Sequence, residues 1–331
     1  MGRGEAGVLI EAPAMAGIHP AQLGASFSPI PRGLFQAVDQ HAFAHPAEQD
    51  LARILSFYRI RWIYEPTTFH LEFREDGRPA EQITPDFYLP DHDLFLELTT
   101  MRQRLVTRKN RKIRRLREAF PSVHIKLLYR RDYDRLVGSY PAPDGILEPV
   151  LDRPLYDAAA LRQRIGELAS EIAATAIRNS RICRPLHLIG VGAGSRRFLA
   201  DLRRELDVRS CRVESDQLVL SRYRAGLDGD HVRIGGALGA PLAGSEVVLV
   251  SDIVSSGLSL VSVTEWLRSK GARTVRICTL LDRRDARIID IPLDYVGFEA
   301  PDEVLVGYGF SSYPRFGDLP YIAPIHEGAE A

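Results

Sequence analysis

The strongest structural signal in this chain is Val247-Val248-Leu249-Val250-Ser251-Asp252-Ile253-Val254-Ser255-Ser256-Gly257-Leu258-Ser259. An apolar run bounded by small polar residues predicts a buried strand that ends in a tight turn and leads into a helix. Small residues in such a turn leave backbone N–H groups able to face an anion, and the positive end of the helix adds to the attraction. The stretch is therefore either a phosphate-binding turn or an ordinary strand-to-helix connection.

Strand-like and helix-like segments alternate on both sides of this turn. A strand over 186–191 and a helix over 196–206 precede it, and a helix over 259–270 and a strand over 273–281 follow it. Strands that alternate with helices pair in parallel through right-handed crossovers. The second half of the chain is therefore predicted to contain a parallel sheet. A stretch rich in Ala, Leu and Glu over 161–177 predicts a further amphipathic helix.

The composition indicates a globular protein of two domains. The 331 residues exceed one average domain, and 45% hydrophobic and 26% charged residues are ordinary globular values. No apolar run approaches the ~18 residues that a membrane span needs, so no membrane association is expected. Three cysteines, far apart and odd in number, indicate neither a disulfide framework nor a zinc site, and they predict a reduced cytoplasmic setting.

The second half of the chain resembles the purine phosphoribosyltransferases, and 247–325 is similar to the C-terminal part of the hypoxanthine-guanine enzymes. Besides the opening stretch, the match is carried by 277–282, 294–302, Val306-Gly307-Tyr308-Gly309 and Asp318-Leu319-Pro320-Tyr321-Ile322. The resemblance implies a type I phosphoribosyltransferase fold and a glycosyltransferase that uses phosphoribosyl pyrophosphate (PRPP). It also implies that PRPP or a purine nucleotide is bound by Asp252, Ser255, Ser256, Gly257, Leu258, Ser259, Arg283, Val304 and Leu305.

Several positions depart from that family where its chemistry lies. The family's Glu-Asp pair is Ser251-Asp252 here, and the Asp that carries a proton beside the purine is Ser255. A serine hydroxyl cannot replace a carboxylate as acid or base near neutral pH. Ala193-Gly194 stands where the family has Lys-Gly, and Ser311 where it has a metal-binding Asp. Three alternatives follow: a domain that binds a nucleotide or PRPP without efficient transfer, a working enzyme that makes IMP or GMP from hypoxanthine or guanine, or an inactive scaffold.

Two acidic residues in the first half of the chain lie on neighbouring predicted strands. Asp86 precedes Phe87-Tyr88-Leu89, and Glu97 lies within Leu94-Phe95-Leu96-Glu97-Leu98. Carboxylates in this arrangement can hold Mg²⁺ or Mn²⁺ against a phosphodiester, where the ion activates water and offsets negative charge. On these residues, and on Thr84-Pro85 before them, the region 46–129 resembles the PD-(D/E)XK nuclease superfamily. The resemblance implies Asp86 and Glu97 as catalytic metal ligands and Glu48 as an additional catalytic acid.

The lysine of the nuclease motif is missing from its usual position, which holds Thr99. Some members of the superfamily recruit a lysine from the next helix. Lys109 shares one helical stripe with the apolar residues Ile113, Leu116 and Phe120, so it is predicted to face the sheet as a catalytic residue. Lys112 is the alternative.

The same helix belongs to a strongly basic segment. Between Arg102 and Arg117 there are nine Lys or Arg residues in sixteen positions and no acid. Such a segment is either a solvated helix face or a surface for a polyanion. Its position beside two strand carboxylates favours a nucleic-acid surface for DNA or RNA, formed by Arg104, Arg108, Arg111, Lys112 and Arg115.

The sequence therefore predicts an α/β protein of two domains. A flexible leader covers 1–31, and a PD-(D/E)XK nuclease-like domain with a restriction-endonuclease-like α/β core covers 32–135. A Pro- and Gly-rich linker over 136–156 precedes a phosphoribosyltransferase-like domain over 157–326. The leading hypothesis is a PRPP- or purine-nucleotide-binding domain that regulates a Mg²⁺-dependent nuclease. The alternatives are a purine salvage enzyme and a non-catalytic nucleic-acid-binding module, and a homo-oligomer is expected.

Overall fold

The structure of the chain, a computed structural model, describes residues 26–27, 41–99, 103–136, 150–179, 185–221, 232–236, 238–310 and 314–326. Nearly all of the predicted leader over 1–31 and most of the predicted linker over 136–156 lie outside these ranges. The chain forms two compact units. The first contains Met1–Ala37 and Trp62–Arg130, and the second contains Val38–Arg61 and Arg131–Ala331.

The first helix, α1 (Pro46–Phe57), begins at a capping box. The His45 ring accepts a hydrogen bond from the backbone N–H of Ala47 at 3.1 Å. The Glu48 carboxylate accepts from the N–H groups of Ala44 and His45 at 3.1 and 3.2 Å. The first N–H groups of a helix have no acceptor within the helix, so the missing N–H of Pro46 leaves no hydrogen bond unmade. Residues close together in the sequence therefore determine where this helix begins.

α1 folds with the second unit, although it was predicted to lie in the nuclease-like domain over 32–135. The backbone carbonyl of Phe57 accepts from the N–H of Val232 at 2.6 Å. The carbonyl of Tyr58 accepts from the hydroxyl of Ser262. Its apolar stripe showed that α1 would be buried, but an amphipathic pattern does not say against which partner.

The described residues of the first unit form two small sheets and one helix. A three-stranded antiparallel sheet has the strand order β1-β3-β4, and a four-stranded sheet has the order β2-β5-β6-β7, in which β6 and β7 are parallel. The elements are β1 (Ser26–Phe27), β2 (Ile63–Tyr64), β3 (Phe69–Phe73), β4 (Pro79–Ile83), β5 (Phe87–Leu89), β6 (Leu94–Thr99), α2 (Gln103–Ala119) and β7 (Ile125–Tyr129).

The core of the first unit follows the helical stripe of α2. Ile113 and Leu116 are buried in one cluster with Phe69, Phe95 and Ile125. Burial of such side chains stabilises each by about 1.5–3 kcal/mol relative to exposure. The stripe therefore fixes which face of α2 meets the sheets, and it places Lys109, one turn earlier, on that same face.

The second unit contains a six-stranded sheet in the order β11-β10-β9-β12-β13-β14 and a three-stranded antiparallel sheet in the order β15-β16-β8. All neighbours in the larger sheet are parallel except β10 and β11. The elements after β7 are α3 (Arg130–Leu136), β8 (Val150–Leu151), α4 (Ala158–Asn179), β9 (Leu186–Val191), α5 (Ser195–Val208), β10 (Val213–Leu220), β11 (Ile234–Gly235), β12 (Glu246–Val254), α6 (Leu258–Ser269), β13 (Thr274–Asp282), β14 (Tyr295–Glu299), β15 (Val304–Gly307) and β16 (Ile322–His326).

The parallel sheet is covered on both faces, as its continuous apolar strands predicted. Every residue of β9 is buried, and Val247, Val248, Leu249 and Val250 of β12 are at most 1% exposed. Ser251 pairs in register with Val191 of β9 and with Thr279 of β13. The carboxyl ends of the three central strands therefore meet at one edge, which is where ligands bind in open α/β sheets.

The predicted linker ends earlier than expected. Val150 and Leu151 pair with β16, and the N–H of Leu155 donates to the carbonyl of Ile322 at 2.8 Å. The prolines at 149 and 154 suggested an unpaired connection, but an edge strand tolerates proline because one side of it needs no ladder bonds. Within the described part of the chain, no helix combines the length and the apolar character that crossing a membrane requires.

Candidate functional site

The turn between β12 and α6 has the geometry of an anion cradle. Gly257 adopts φ +85°, and a Cβ at this position would lie 2.6 Å from the carbonyl oxygen of Ile289. Only glycine suits such a position. No side chain caps the first turn of α6 at its N-cap, Gly257. The N–H of Leu258 donates to the hydroxyl of Ser256 at 3.4 Å. The next N–H groups, of Ser259 and Leu260, lie in the first turn of the helix, where N–H groups have no intrahelical partner and can face a phosphate.

The segment that follows β13 holds the cradle through hydrogen bonds to its backbone carbonyls. The N–H groups of Ile288 and Ile289 donate to the carbonyl of Ser256 at 2.9 and 3.1 Å. The Nε of Arg287 donates to the carbonyl of Ser255 at 3.1 Å. The Arg287 guanidinium also pairs with Asp282, and both side chains are below 10% exposed. Asp282 and Arg287 were not predicted as site residues, because their only signal in the sequence is an acid at the end of a buried strand, five residues before an arginine.

A second glycine-rich turn, after β9, faces the same edge of the sheet. Gly192 adopts φ +75°, and its carbonyl accepts from Nε2 of Gln217 at 2.6 Å and from the hydroxyl of Ser195 at 2.9 Å. A Cβ on Gly194 would lie 1.9 Å from Oδ2 of Asp252. The Asp252 carboxylate therefore lies directly against the glycine turn, in space that any side chain at 194 would fill.

Asp252 is the carboxylate that this edge offers to a cation or to ribose hydroxyls. Its Oδ1 accepts from the N–H of Ile253 at 2.9 Å, which fixes the orientation of the side chain. Mg²⁺ is usually held by one or two protein carboxylates together with substrate phosphates and water. Asp252 and the oxygens of a pyrophosphate fit that requirement. Among the described residues, no group of three or more His, Cys, Asp or Glu side chains is placed to hold a metal by itself.

The two serines at family carboxylate positions differ in their surroundings. Ser251 is 5% exposed, and its hydroxyl donates to the carbonyl of Ile253 at 3.3 Å. Ser255 is half-buried, and its carbonyl is the one that Arg287 holds. Neither hydroxyl can act as a general base near neutral pH. The turn therefore keeps the geometry of an anion cradle and has no proton-accepting side chain at 255.

The residues predicted to contact the purine are buried more deeply than expected. Arg283 is 6% exposed; its Nε donates to the carbonyl of Pro301 at 3.0 Å and its Nη2 to the carbonyl of Glu303 at 2.7 Å. Leu305 is 4% exposed and belongs to the hydrophobic core, whereas Val304 is half-buried. Arg283 thus holds the loop 301–303, which we call the base-side loop, and the Leu305 side chain is taken up by the core. Ser311 lies outside the described residues.

In the first unit, the structure brings together three of the residues predicted for nuclease chemistry. Asp86 precedes β5, and its Oδ2 accepts from the N–H of Leu98 in β6 at 2.6 Å. Glu97, 4% exposed, receives Nζ of Lys109 at 2.6 Å, and the same amino group donates to the carbonyl of Leu98. The fourth residue, Glu48, caps α1 in the second unit, so its catalytic role stays a prediction.

Most of the basic helix face is occupied by intramolecular partners. Arg111 and Arg115 both pair with Glu81, Arg115 also pairs with Glu72, and Lys112 donates to the carbonyl of Gln82 at 2.7 Å. Burial favours the protonated form of Glu81, but the two guanidinium groups outweigh it and lower its pKa. The side chains line an open polar groove of about 680 Å³.

This pairing corrects part of the predicted nucleic-acid surface. The acids that neutralise Arg111 and Arg115 come from β3 and β4, 30 to 43 residues away, so the local sequence showed only the positive charge. Arg108 is exposed and lines the groove. The side chain of Arg104 lies outside the described residues. DNA or RNA binding by this helix stays a prediction.

The comparisons with known proteins agree with the geometry of the second unit. A family model for the phosphoribosyl transferase domain matches residues 154–312. The hypoxanthine phosphoribosyltransferase of Salmonella typhimurium is 36% identical over 168 residues, which span 50% of this chain and 91% of that protein. The chain belongs to the phosphoribosyltransferase family.

Two further relatives extend this result to the fold of the phosphoribosyltransferase domain. The hypoxanthine-guanine phosphoribosyltransferase of Bacillus subtilis is 32% identical over 173 residues, covering 52% of this chain and 92% of that protein. A solved structure of the Trypanosoma cruzi hypoxanthine phosphoribosyl transferase has a TM-score of 0.50 at 28% identity, covering 54% of this chain and 93% of that one. The predicted type I fold of the second half is confirmed. The nuclease-like fold of the first half stays a prediction.

Proposed function

We propose that the phosphoribosyltransferase domain binds PRPP and a 6-oxopurine such as hypoxanthine or guanine, and joins them to form a nucleoside 5′-monophosphate. The observation that carries this proposal is the cradle over 255–259, which lies at the same sheet edge as Asp252 and Gly194. An anion cradle, a carboxylate and a glycine turn at one edge suit the phosphate, the ribose and the pyrophosphate of PRPP. The similar proteins of Salmonella typhimurium and Bacillus subtilis, a hypoxanthine and a hypoxanthine-guanine phosphoribosyltransferase, agree with this substrate class.

Each group has a distinct part in the proposed transfer. The N–H groups of α6 hold the 5′-phosphate, and the Asp252 carboxylate accepts hydrogen bonds from the ribose hydroxyls. A purine ring nitrogen then forms the new bond to the ribose while the bond to pyrophosphate breaks. Mg²⁺, when bound, offsets the charge of the departing pyrophosphate. The proton of the purine leaves to solvent, because Ser255 has no carboxylate to receive it.

The missing carboxylate makes this a slow transferase. General acid or base catalysis by a positioned side chain contributes about 10² to 10⁴-fold in rate. Phosphate binding does not depend on that group, so affinity for PRPP is retained while turnover falls. When turnover falls furthest, the domain binds the nucleotide with only weak transfer activity.

Substrate binding is testable without turnover. PRPP with Mg²⁺, at about 100 times its Kd, stabilises a folded domain by about 2.7 kcal/mol and raises its Tm by roughly 5 °C or more. We expect this shift for the wild-type chain and expect Asp252→Asn to lose most of it. Asp207→Asn, which removes an exposed carboxylate on α5, serves as the matched control and keeps the shift. No shift with PRPP or any purine nucleoside monophosphate in the wild type would refute the proposal.

A second candidate function rests on Glu97, Lys109 and Asp86. A buried carboxylate that contacts a lysine ammonium, with another carboxylate fixed on the neighbouring strand, is an arrangement suited to metal-assisted phosphodiester hydrolysis. We infer that the first unit has nuclease activity with Mg²⁺ or Mn²⁺. Asp86 and Glu97 would hold the ion, and Lys109 would stabilise negative charge on the phosphate.

This activity predicts a large effect of one isosteric substitution. Glu97→Gln keeps the shape of the side chain and removes its charge, so cleavage of DNA or RNA should fall at least about 100-fold. Glu118→Gln, on the exposed face of α2, is the control and should cleave like the wild type. Cleavage is followed on labelled single- and double-stranded substrates with each metal. Equal cleavage by wild type and Glu97→Gln would assign the activity to a contaminant and remove this candidate.

A further inference from the structure

Two helices that precede the family match fold onto the phosphoribosyltransferase domain. The match begins at residue 154, whereas α1 and α3 cover 46–57 and 130–136. Both contact that domain in the second unit. We call the two helices, together with Tyr58, the brace.

α3 contacts the base-side loop through ion pairs with one residue, Asp302. The Asp302 carboxylate pairs with Arg135 through one oxygen and with Arg131 through the other, the latter at 2.5 Å. The side chains of Arg135 and Asp302 are 15% and 21% exposed, so this pair is only partly screened by water. Two guanidinium groups from one helix therefore fix the carboxylate in the middle of the loop.

Pro301 and Glu303, on either side of Asp302, contact the Arg283 side chain. The carbonyls of Pro301 and Glu303 accept its two hydrogen bonds, and Val304 follows directly at the start of β15. The loop is thus held on one side by Arg283 and on the other by α3. A shift of Asp302 would move both carbonyls and the first residue of β15.

The brace is also tied to the phosphate side of the site. The hydroxyl of Tyr133 in α3 donates to the Asp50 carboxylate of α1 at 2.6 Å. The carbonyl of Tyr58, at the end of α1, accepts from the hydroxyl of Ser262 in the second turn of α6. α6 is the helix whose first turn forms the cradle. The two brace helices therefore contact both the base-side loop and the cradle helix.

We propose that the brace positions the base-side loop for purine binding, with Arg135 and Arg131 as positioning residues. This inference rests on the proposed transferase function for its kinetic readout. Arg135 touches no reacting atom in this account; it sets the place of the 301–303 carbonyls and of Val304 through Asp302. The brace therefore contributes to the purine site, although its residues precede those that match the phosphoribosyltransferase family model.

The kinetic test separates purine binding from PRPP binding and from chemistry. For Arg135→Met, KM for the purine should rise about tenfold, while KM for PRPP and kcat stay within about twofold. Arg135→Lys should recover part of the purine affinity, since it restores a positive charge. The double variant Arg135→Glu with Asp302→Arg should have a lower KM for the purine than either of its single variants. A general loss of stability would not produce this recovery.

A readout that needs no activity keeps the inference independent of the proposed function. In Arg135→Met, backbone amides of the peptide around Asp302 should exchange with deuterium about tenfold faster than in wild type, with the cradle peptide unchanged. Arg203→Ala removes an exposed ion pair on α5 and an exposed hydrogen bond to the Ser215 hydroxyl, away from both peptides. It is the matched control and should change neither peptide.

The two readouts distinguish the possible failures. If no nucleotide forms in any variant but exchange around Asp302 accelerates, the brace stands and the transferase proposal falls. If exchange and purine KM both match the wild type, α3 does not position the loop and the inference is overturned. A parallel rise of both KM values with faster exchange throughout the domain would also overturn it, because that pattern marks general loosening.

Discussion

Replacing Ser255 with aspartate is expected to raise kcat for nucleotide formation by about 100-fold, the lower end of what a positioned acid or base contributes. Ser255 is half-buried beside the cradle, and the structure holds it by its backbone carbonyl through Arg287. A longer side chain therefore does not remove the contact that fixes the turn. The new carboxylate can accept the purine proton that otherwise leaves to solvent.

The matched control for this gain is Ser255→Asn, which has the shape of aspartate without its basicity. Steady-state rates with hypoxanthine and PRPP at saturating concentrations give kcat directly, and PRPP affinity should change little in either variant. A gain in the Asp variant alone identifies the serine as the reason for slow transfer. Equal rates in wild type, Ser255→Asp and Ser255→Asn would mean that proton transfer is not limiting and that this explanation is wrong.

Removing Arg287 is expected to lower the free energy of unfolding of the phosphoribosyltransferase domain by about 3–5 kcal/mol. Arg287→Met leaves the Asp282 carboxylate buried without its cation, and the carbonyl of Ser255 without its donor. An uncompensated buried charge is strongly unfavourable because the protein interior cannot solvate it as water does. PRPP binding should weaken as well, since the cradle loses a contact beneath it.

Urea unfolding of the domain, with and without PRPP, measures both effects. Arg203→Ala is again the comparison, because the ion pair of Arg203 with Asp207 and its hydrogen bond to the Ser215 hydroxyl are both exposed, and an exposed ion pair is worth at most about 1 kcal/mol. The double variant Arg287→Met with Asp282→Leu should be more stable than Arg287→Met, since it leaves no buried charge. A loss below about 1 kcal/mol in Arg287→Met would show that the buried pair does not stabilise the domain.

Local sequence was sufficient for the features that depend on neighbouring residues. The apolar run of β12 and the Ser-Ser-Gly turn after it predicted a buried parallel strand and the start of α6, and the structure has both. The stripe of Lys109 with Ile113 and Leu116 predicted a lysine facing the sheet, and its amino group contacts Glu97. In each case the residues that carry the signal lie within a few helical turns of one another in the sequence.

Features that depend on distant partners could not be predicted in this way. Arg283 looked like a base contact, yet its acceptors are carbonyls about 20 residues later in the chain. Arg115 looked like a cation for nucleic acid, yet Glu81 lies on another element. The unit to which α1 belongs could not be predicted either, because its partners Val232 and Ser262 lie far along the chain, and Ser262 is 204 residues from Tyr58. Charge and amphipathicity indicate that a partner is needed, and only the fold identifies it.

The proposed transfer requires that the cradle, Asp252 and the glycine turn act together on PRPP. The direct measurement is nucleotide formation from hypoxanthine or guanine with PRPP and Mg²⁺ at high enzyme concentration, resolved by chromatography and mass. We expect a slow, PRPP-dependent appearance of IMP or GMP that Asp252→Asn abolishes and Ser255→Asp accelerates. Absence of either nucleotide from both the wild type and Ser255→Asp, under conditions where PRPP is intact, would contradict it.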